Sequence, residues 1–520
     1  MTDKISLQHG ETSGQRCGKT SCPYPMCGGC SMTHLSYDVQ LRQKHKHLVK
    51  LLGSFGEVLP VLHTDTPTHY RNKVTRSYTM IKNQNGKPVL TGGIYAAESR
   101  RIVPVRHCLI EDENAQKILD TLESLCREMK LQAFDVRTGK GVLRHAQVRV
   151  ALGNSQKNGC GAYLLTLVTG TPFFPGRAEL ISQLHKRHPE IESIVQNVNG
   201  FDTGMILGDP KRSGIGDRVL FGKGFVCDTL CGLHFHISPH SFYQVNHAGT
   251  ELLYQTAVSM AKILPGDTVL DAYCGIGTIG LTAANMTKQR LASAGTARAD
   301  NARIGNEISF LGVEINRDAV ADAIANAKEN GIRNIRFYQG DAGSFMREHR
   351  ICPDVLFMDP PRAGSDHAFL SAVLHARVRQ VVYISCNPET LARDLAVLTK
   401  GYRVECIQPV DMFPMTEHVE TVCLLSKLNA KQHIEINLDM DELDLTDAEK
   451  KATYQEIKDY VLEHSGLKVS SLYIAQVKQK CGIIERENYN KPKSENAKQP
   501  QCPPEKEKAI REALKYYGII

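Results

Sequence analysis

The sequence has no long apolar run and no strong compositional bias. No segment approaches the roughly 18 apolar residues that a membrane-spanning helix needs, and the first residues, MTDKISLQHG, lack the apolar core of a signal peptide. Tryptophan is absent, from which nothing follows. The 520 residues are 42% hydrophobic and 23% charged, which excludes a mainly disordered, collagenous or coiled-coil chain. We expect a cytoplasmic protein of about three domains, with no membrane and no obligate protein partner.

The sequence also has no large excess of charges of one sign. There are 63 basic and 56 acidic residues, a formal net charge of +7, which is compatible with nucleic-acid binding but weak support for it. The 16 cysteines are numerous for a chain without an export signal. Most stand alone in apolar runs, as Cys126, Cys227 and Cys423 do, and are predicted to be buried small hydrophobic residues. Two groups of cysteines depart from that pattern.

The first group lies in the N-terminal segment CGKTSCPYPMCGGC, residues 17–30. Glycine and proline predict a loop, which holds Cys17, Cys22, Cys27 and Cys30. Crowded thiolates are stabilised by a metal centre, and four of them fit either zinc or an iron–sulfur cluster. If one ligand comes from afar, Cys108 is the best candidate. The radical-enzyme spacing C-x3-C-x2-C is absent, and free thiols on a tail are the alternative.

The middle of the chain alternates short apolar segments with turns. Strands are predicted at 147–152, 162–169 and 193–199, and turns at 83–88 and at Asn199-Gly200. This pattern predicts an α+β domain, preceded by a basic helix around Tyr37 to Leu52.

After Gly266 strands alternate with helices. The predicted strands end at, or just before, Asp271, Glu314, Asp341, Asp359 and Cys386. Ligand-binding groups at the carboxyl ends of consecutive strands are typical of an open doubly wound sheet. Gly275 and Gly277 allow close approach of a ligand to the first turn. The order suits an S-adenosylmethionine-dependent methyltransferase better than a dinucleotide dehydrogenase. The unusually long gap before Glu314 is assigned to a surface loop at 292–306.

The second unusual cysteine position is Cys386. It follows a strand and precedes a helix with Pro388 in its first turn, and a helix N-terminus lowers a thiol pKa. This predicts a nucleophile rather than a packing residue. Glu420 begins a later apolar strand, where a carboxylate is either a surface residue or a placed base.

Eight motifs occur in order: CGGC, YRNK, LRH, SFYQVN, DAYCGIG, DPPRAG, SCNPETLARDL and MFPMTEHVE. With them the chain resembles the RNA (uracil-5-)-methyltransferase family, over roughly residues 22 to 425. The resemblance is to its RumA-like branch, which modifies 23S rRNA and carries an iron–sulfur cluster.

The resemblance implies an α/β fold. A Rossmann-like class I S-adenosylmethionine-dependent methyltransferase domain is expected at 235–426, after a central α+β RNA-binding domain at 67–234. Residues 1–66 would hold the cysteine motif and the basic helix, and residues 427–520 a helical C-terminal extension. In that extension Thr446 and Glu449 form a capping box, and a linker at 490–504 precedes the third predicted helix. The three helices resemble a helix-turn-helix or a neutral accessory domain.

The resemblance also implies roles for residues. Cys386 would be the nucleophile that adds to C6 of uracil, and Glu420 the base that removes the C5 proton. Contacts to S-adenosylmethionine would come from Gln244, Tyr273, Glu314 and Asp359, with Asp341 as a weaker candidate. A [4Fe–4S] cluster, with zinc as the alternative, would be held by Cys22, Cys27, Cys30 and Cys108, leaving Cys17 a bystander.

Three features differ from the family pattern. The gap between Cys22 and Cys27 is one residue short, which leaves Cys17 open as a ligand. The residues before Cys22 leave no room for the small RNA-binding TRAM barrel of relatives, and the C-terminal extension is additional. The predicted function is formation of 5-methyluridine in RNA, specifically 23S rRNA. The alternatives are the same chemistry on tRNA and a non-catalytic RNA-binding or assembly factor.

Overall fold

The computed structural model describes residues 22–97, 99–152, 161–293, 307–428, 454–481 and 502–516. The chain divides into two compact units, 1–429 and 430–520. Within the described ranges no helix is both long and apolar enough to cross a bilayer. Cys17, the capping box, nearly all of the 490–504 linker and all but the start of the 292–306 loop lie outside them.

The larger unit contains sixteen strands and ten α-helices, with a 3-10 turn at Pro25–Cys27. The strands are β1 (Lys73–Lys82), β2 (Pro88–Tyr95), β3 (Ile102–Pro104), β4 (Leu143–Ala151), β5 (Ala162–Thr169), β6 (Ile191–Val198), β7 (Arg218–Phe221), β8 (Val226–Leu230), β9 (Leu233–Ile237), β10 (Thr268–Ala272), β11 (Ser309–Glu314), β12 (Ile335–Gln339), β13 (Val355–Met358), β14 (Gln380–Ser385), β15 (Tyr402–Val410) and β16 (Glu420–Lys427). The helices are α1 (Tyr37–Leu52), α2 (Glu113–Glu128), α3 (Arg177–Arg187), α4 (Pro210–Ser213), α5 (His247–Met260), α6 (Thr278–Ser293), α7 (Arg317–Glu329), α8 (Ala342–Glu348), α9 (His367–Ala376) and α10 (Pro388–Leu398). These counts refer to the described residues.

The first sheet has seven strands in the order β3-β2-β1-β4-β5-β6-β7, and only the β5–β6 pair is parallel. Helices α2 and α3 pack on it through apolar side chains such as Ile118, Leu122 and Leu184, all with no exposed surface. Every residue of β5 is buried, which explains its unbroken apolar sequence. The predicted strands at 147–152, 162–169 and 193–199 correspond to β4, β5 and β6, as the α+β prediction requires.

The second sheet is ordered β12-β11-β10-β13-β14-β16-β15. Its first five strands are parallel; β16 runs antiparallel to β14, and β15 runs antiparallel to β16 and so has the direction of the first five. Apolar clusters cover both faces, as parallel sheets require. Strand order reverses between β10 and β13, and ligands bind at such a switch point in open α/β sheets. The expected Rossmann-like methyltransferase fold is confirmed.

Hydrogen bonds from side chains to main-chain carbonyls connect the two sheets. The amide of Asn72 donates to the carbonyl of Gln244 at 3.1 Å. The guanidinium of Arg149, nearly fully buried, donates to the carbonyls of Ser241 and Pro239. These bonds hold the segment before α5 against the start of β1 and the end of β4.

The smaller unit contains three further helices among its described residues: α11 (Tyr454–Ser465), α12 (Ser471–Lys480) and α13 (Pro504–Tyr516). They share an apolar core that includes Ile457, Ile474 and Ile510. The three predicted helices of the extension are therefore present.

Candidate active site at the carboxyl edge of the second sheet

The turn after β10 is built by glycines. Gly277 has a φ of 83°, and a Cβ there would lie 2.9 Å from Phe337, so only glycine fits. The N–H of Gly280 donates to Oδ2 of Asp271 at 2.8 Å, and the N–H of Gly275 donates to Oε2 of Glu314 at 3.1 Å. Two acidic strand ends thus fix the turn from either side.

The four residues expected to contact the methyl donor lie in three places. Tyr273 and Glu314 flank the glycine turn, and Tyr273 has a left-handed φ of 62°, which is strained for a non-glycine residue. Asp359 follows β13, which pairs with β10, and burial raises its pKa to about 7. Gln244 lies where the two sheets meet, held by Asn72 through its carbonyl.

Asp271, which the sequence marks only as a strand end, lies at the same glycine turn. It is 1% exposed, and its Oδ1 has no hydrogen-bond partner in the described part of the chain. Burial, together with the charges of Asp359 and Glu314, raises its pKa to about 8. A buried polar atom without a partner calls for a ligand donor or water. The turn therefore fits S-adenosylmethionine, whose ammonium group supplies such a donor.

The register of β14 and β16 places the two predicted catalytic residues side by side. These strands are antiparallel, and Ser385 pairs with Thr421. Cys386 follows the first of this pair and Glu420 precedes the second, so the same register carried one residue further sets Cys386 opposite Glu420. Glu420 is 3% exposed, so it is not a surface carboxylate.

The electrostatics of Cys386 contradict the expectation of a thiol acidified by a helix N-terminus. Burial and the charges of Glu420 and Asp359 raise its pKa to about 11, against a smaller lowering by Arg362. Desolvation and two nearby carboxylates outweigh the helix end. The side chain of Asn387 caps that helix by accepting from the N–H of Glu389 at 3.2 Å, which uses one of its free donors.

Glu420 is perturbed in the same direction. Burial raises its pKa to about 8, the charge of Asp359 adds to the effect, and Arg362 opposes it. A carboxyl with a pKa near the working pH is suited to general acid–base chemistry.

A pocket of about 540 Å³ opens beside Cys386. One wall comes from the second sheet and includes Arg362, His418 and Val419; the other comes from Met32 and Lys44. This volume lies within the range of small-ligand sites.

Comparisons with known proteins agree with this arrangement. The family described as tRNA (uracil-5-)-methyltransferase matches residues 211–428. A protein of Halalkalibacterium halodurans named as an uncharacterized RNA methyltransferase is 37% identical over 78% of this chain and 83% of its own length. One of Listeria innocua with the same description is 37% identical over 80% and 85%. The chain belongs to the RNA (uracil-5-)-methyltransferase family.

Among solved structures, the Pyrococcus abyssi tRNA (uracil-54, C5)-methyltransferase in complex with S-adenosyl-L-homocysteine is similar in fold. The TM-score is 0.59 at 24% identity, over 77% of this chain and 86% of that one. The chain described here is accordingly an S-adenosylmethionine-dependent RNA methyltransferase, and RNA is its substrate.

Helix α1 braces the loop that leads to Glu420, a role the sequence analysis missed. Lys44 Nζ lies 2.7 Å from Asp411 Oδ1, with both side chains at most 1% exposed. Lys44 also donates to the carbonyl of Phe413 at 3.1 Å, and the hydroxyl of Tyr37 donates to Asp411 Oδ2 at 3.0 Å. The fully buried side chain of Gln40 accepts from the N–H of Met415 at 2.9 Å.

The cysteine segment contacts the same loop. The N–H of Met32 donates to the carbonyl of Met415 at 3.0 Å, and the N–H of Glu417 donates to Ser31 Oγ at 3.1 Å. Residues just after Cys30 are thereby joined to the backbone that carries His418 and Glu420.

Two of the four predicted metal ligands, Cys30 and Cys108, pack against one small apolar cluster formed by Tyr70, Ile110 and Met415. Burial, together with the charges of Cys108, Cys27 and Cys22, raises the pKa of Cys30 to about 12. Gln116 fixes Cys108: its amide oxygen accepts from the Cys108 N–H at 2.6 Å, and its amide nitrogen donates to the Cys108 carbonyl at 3.0 Å.

A different trio, Cys227, His236 and Glu329, has its ligand atoms within 4.8 Å of one another. His236 Nε2 and Glu329 Oε2 are 2.6 Å apart, which is a direct hydrogen bond. The pair therefore satisfies itself and connects β9 to the end of α7.

Proposed function

We propose that this methyltransferase forms 5-methyluridine in 23S rRNA through a covalent bond between Cys386 and C6 of the target uracil. The observation that carries the proposal is the β14–β16 register, which sets Cys386 opposite the buried Glu420 beside a pocket with the volume of a small-ligand site. A non-catalytic RNA-binding factor would have no need of this buried pair. A cytoplasmic location and RNA binding by the central region, 67–234, belong to the same proposal.

C5 of uracil is a poor nucleophile, so the reaction needs prior addition at C6. The Cys386 thiolate bonds to C6, and the C5–C6 π electrons move toward O4 as an enolate. C5 then attacks the methyl group of S-adenosylmethionine, and S-adenosylhomocysteine leaves. Glu420 takes the proton from C5, the C5–C6 double bond re-forms, and the Cys386 thiolate is released. The uridine must leave its stack to reach the pocket.

Proton placement follows from the raised pKa values. Cys386, with a pKa of about 11, must lose its proton before attack, and Glu420, with a pKa of about 8, must be ionised to remove the C5 proton. Arg362 lowers the pKa of both groups and is therefore assigned the role of favouring their charged forms.

The methyl donor is assigned to the glycine turn. Tyr273, Glu314, Gln244 and Asp359 are proposed to contact it. Asp271 is added because its Oδ1 has no hydrogen-bond partner in the ranges that the structure describes. Asp341 is a less supported candidate: its side chain accepts from the N–H of Ser344 and caps α8.

A [4Fe–4S] cluster on Cys22, Cys27, Cys30 and Cys108 is proposed in preference to zinc. Four thiolates supply one ligand for each iron of such a cluster, and the resemblance to the iron–sulfur branch of the family favours it over a single zinc ion.

Methylation of tRNA is the second candidate. It is favoured by the description of the matching family and by the Pyrococcus abyssi enzyme, whose name specifies tRNA. The four-cysteine site favours rRNA, since the tRNA branch generally lacks a metal cluster.

The test uses rRNA and tRNA transcripts that contain 5-fluorouridine, with wild-type protein, Cys386→Ala, and Cys352→Ala as an exposed-cysteine control. Fluorine at C5 cannot be removed as a proton, so the adduct is trapped. We expect a methylated covalent complex with rRNA that is absent only in Cys386→Ala. A complex with tRNA alone would transfer the proposal to tRNA. No complex with either RNA, in protein that binds both, would refute the covalent mechanism.

A further inference from the structure

Two phenylalanine rings are exposed at one end of the first sheet. Phe173 follows β5 and is 67% exposed, and Phe201 follows β6 and is 40% exposed. Met205 is 64% exposed and Val219, on β7, is 50% exposed. Grouped apolar side chains on a surface mark an interaction site more often than scattered ones do.

Arginine side chains pack against both rings. The Cζ of Arg218 lies 4.9 Å and that of Arg177 5.6 Å from the centre of the Phe173 ring. The Cζ of Arg212 lies 4.9 Å from the centre of the Phe201 ring. Aromatic faces and cationic groups therefore alternate along this surface, which we call the Phe173–Phe201 face.

Hydrogen bonds from Arg144 fix the backbone of the loop that carries Phe201. The guanidinium of Arg144 donates to the carbonyls of Asn199 at 2.9 Å, Phe201 at 2.6 Å and Thr203 at 3.2 Å. The ring is thus presented by an ordered backbone, which lowers the entropy lost when a ligand binds.

A chain of contacts leads from this face to the active site. Arg100 Nη1 lies 2.9 Å from Asp202 Oδ1, next to Phe201. Ala97, three residues before Arg100, packs against Gly28 of the cysteine segment. Ser31 of that segment bonds the backbone of Glu417, which lines the pocket beside Cys386.

We infer that the Phe173–Phe201 face binds a single-stranded segment of the RNA substrate, next to the target uridine, with bases stacked on the two rings and phosphates on the arginines. Stacking platforms combined with basic groups are how proteins hold unpaired RNA. RNA is preferred to a protein partner because RNA is the substrate of this chain and the guanidinium groups beside the rings complement phosphate charges. The inference rests on the proposed function for the identity of the RNA only.

The first experiment measures the affinity of the full chain for a single-stranded, uridine-rich RNA of roughly 20 nucleotides. The variants are Phe173→Leu/Phe201→Leu, which removes the rings but keeps apolar bulk, and Phe173→Tyr/Phe201→Tyr, which keeps the rings. Ile324→Ala on α7 and Arg403→Gln on β15 are exposed controls elsewhere.

We expect the leucine pair to weaken binding by about tenfold or more, since stacking contributes measurably per base. The tyrosine pair and both controls should bind like wild type. Arg212→Gln/Arg218→Gln should weaken binding and flatten its dependence on salt, because fewer counterions are released. Wild-type affinity in the leucine pair would overturn the inference, as would equal loss in the leucine and tyrosine pairs.

The second experiment uses whichever transcript the wild-type enzyme methylates. The leucine pair should raise KM with kcat within about twofold of wild type, as expected when uniform binding is lost. Removing the single-stranded flank from the transcript should abolish the difference between the leucine pair and wild type. A fall in kcat with unchanged KM would overturn the inference. If the wild-type enzyme methylates neither transcript, the proposed function fails, and the binding experiment still decides the inference.

Discussion

The two walls of the Cys386 pocket are built in different ways. One wall includes Cys386, which the register of β14 and β16 sets opposite the buried Glu420 behind it. The other wall comes from α1 and the cysteine segment, more than 300 residues earlier in the chain, and its Lys44 is held by a buried ion pair with Asp411. In the proposed mechanism the first wall supplies the nucleophile, and the second supports the loop before Glu420. The proposed chemical and positioning groups are thus far apart in sequence although they are adjacent in space.

The largest effect is expected at the pocket wall that contains Cys386. Cys386→Ala should reduce methyl transfer at least about a thousandfold, since without the thiolate C5 is not activated. The measurement is transfer of labelled methyl to RNA under single-turnover conditions. Cys423→Ala, at a buried cysteine of neighbouring β16, is the control for altered packing. Residual activity within tenfold of wild type would show that the adduct is not on the pathway.

The supporting wall is tested by Lys44→Met. Removing the lysine leaves Asp411 buried without its cation, which costs about 3–5 kcal/mol in the free energy of unfolding. Chemical denaturation gives that value. Lys46→Met, on the exposed side of α1, should change it by less than about 0.5 kcal/mol.

The same variant sharpens the comparison between the walls. If α1 positions the loop of Glu420, Lys44→Met should lower kcat for formation of free methylated RNA, which needs Glu420. It should slow formation of the 5-fluorouridine adduct at Cys386 less. Equal losses in both steps would mean that α1 contributes stability alone.

The cysteine segment is expected to have a smaller influence on the active site. Cys108→Ser should remove the iron content and visible absorption of the protein and lower methylation several-fold, through the bonds from Met32 and Ser31 to the loop of Glu420. Cys126→Ser, at a buried cysteine of α2, is the matched control. Unchanged iron content in Cys108→Ser would contradict the proposed ligand set.

The smallest effect concerns stability against pH. The pKa of Glu420 is raised in the folded protein to about 8 from an ordinary 4.5, so the folded state holds this proton more tightly than the unfolded state does. Its contribution to stability is complete below about pH 4.5 and is lost as the pH rises through 8. Glu420→Gln should therefore raise Tm by a few degrees at pH 9 and by less at pH 6. A constant difference across that range would contradict the assignment.

The ionisation of Glu420 should raise activity over the pH range in which it lowers stability. Because Glu420 must be charged to accept the C5 proton, the rate of the wild-type enzyme should increase with pH through about 8. A rate that is flat between pH 6 and 9 would show that a step other than proton removal limits turnover.

Much of the fold was predictable because its information is local. The strand β5 was predicted at its observed bounds, and α1 likewise, since period and turn residues are written along the chain. Candidate groups at strand ends followed from the topology of parallel sheets. The four thiols, by contrast, were grouped by resemblance, because no pattern in the sequence brings Cys108 to Cys30.

The sign of the Cys386 pKa shift was predicted wrongly, and the error has a physical cause. A helix N-terminus can be recognised in the sequence, but the burial of the thiol and the approach of Glu420 and Asp359 depend on how β13, β14 and β16 pair. Desolvation and charge distance are three-dimensional quantities, and here they outweigh the local dipole.

The sequence by itself determined the family, the order of strands and helices, and the chemical types at the site, because these depend on neighbouring residues and on spacing. Only the tertiary structure decided that Lys44 pairs with Asp411, that Asp271 Oδ1 has no hydrogen-bond partner among the described residues, and that Phe173 and Phe201 are both exposed beyond the ends of the paired strands β5 and β6. Each of these features depends on segments that are distant in the chain and meet in the fold. Packing there determines which groups are buried, and burial in a low dielectric determines how strongly charged and polar groups interact.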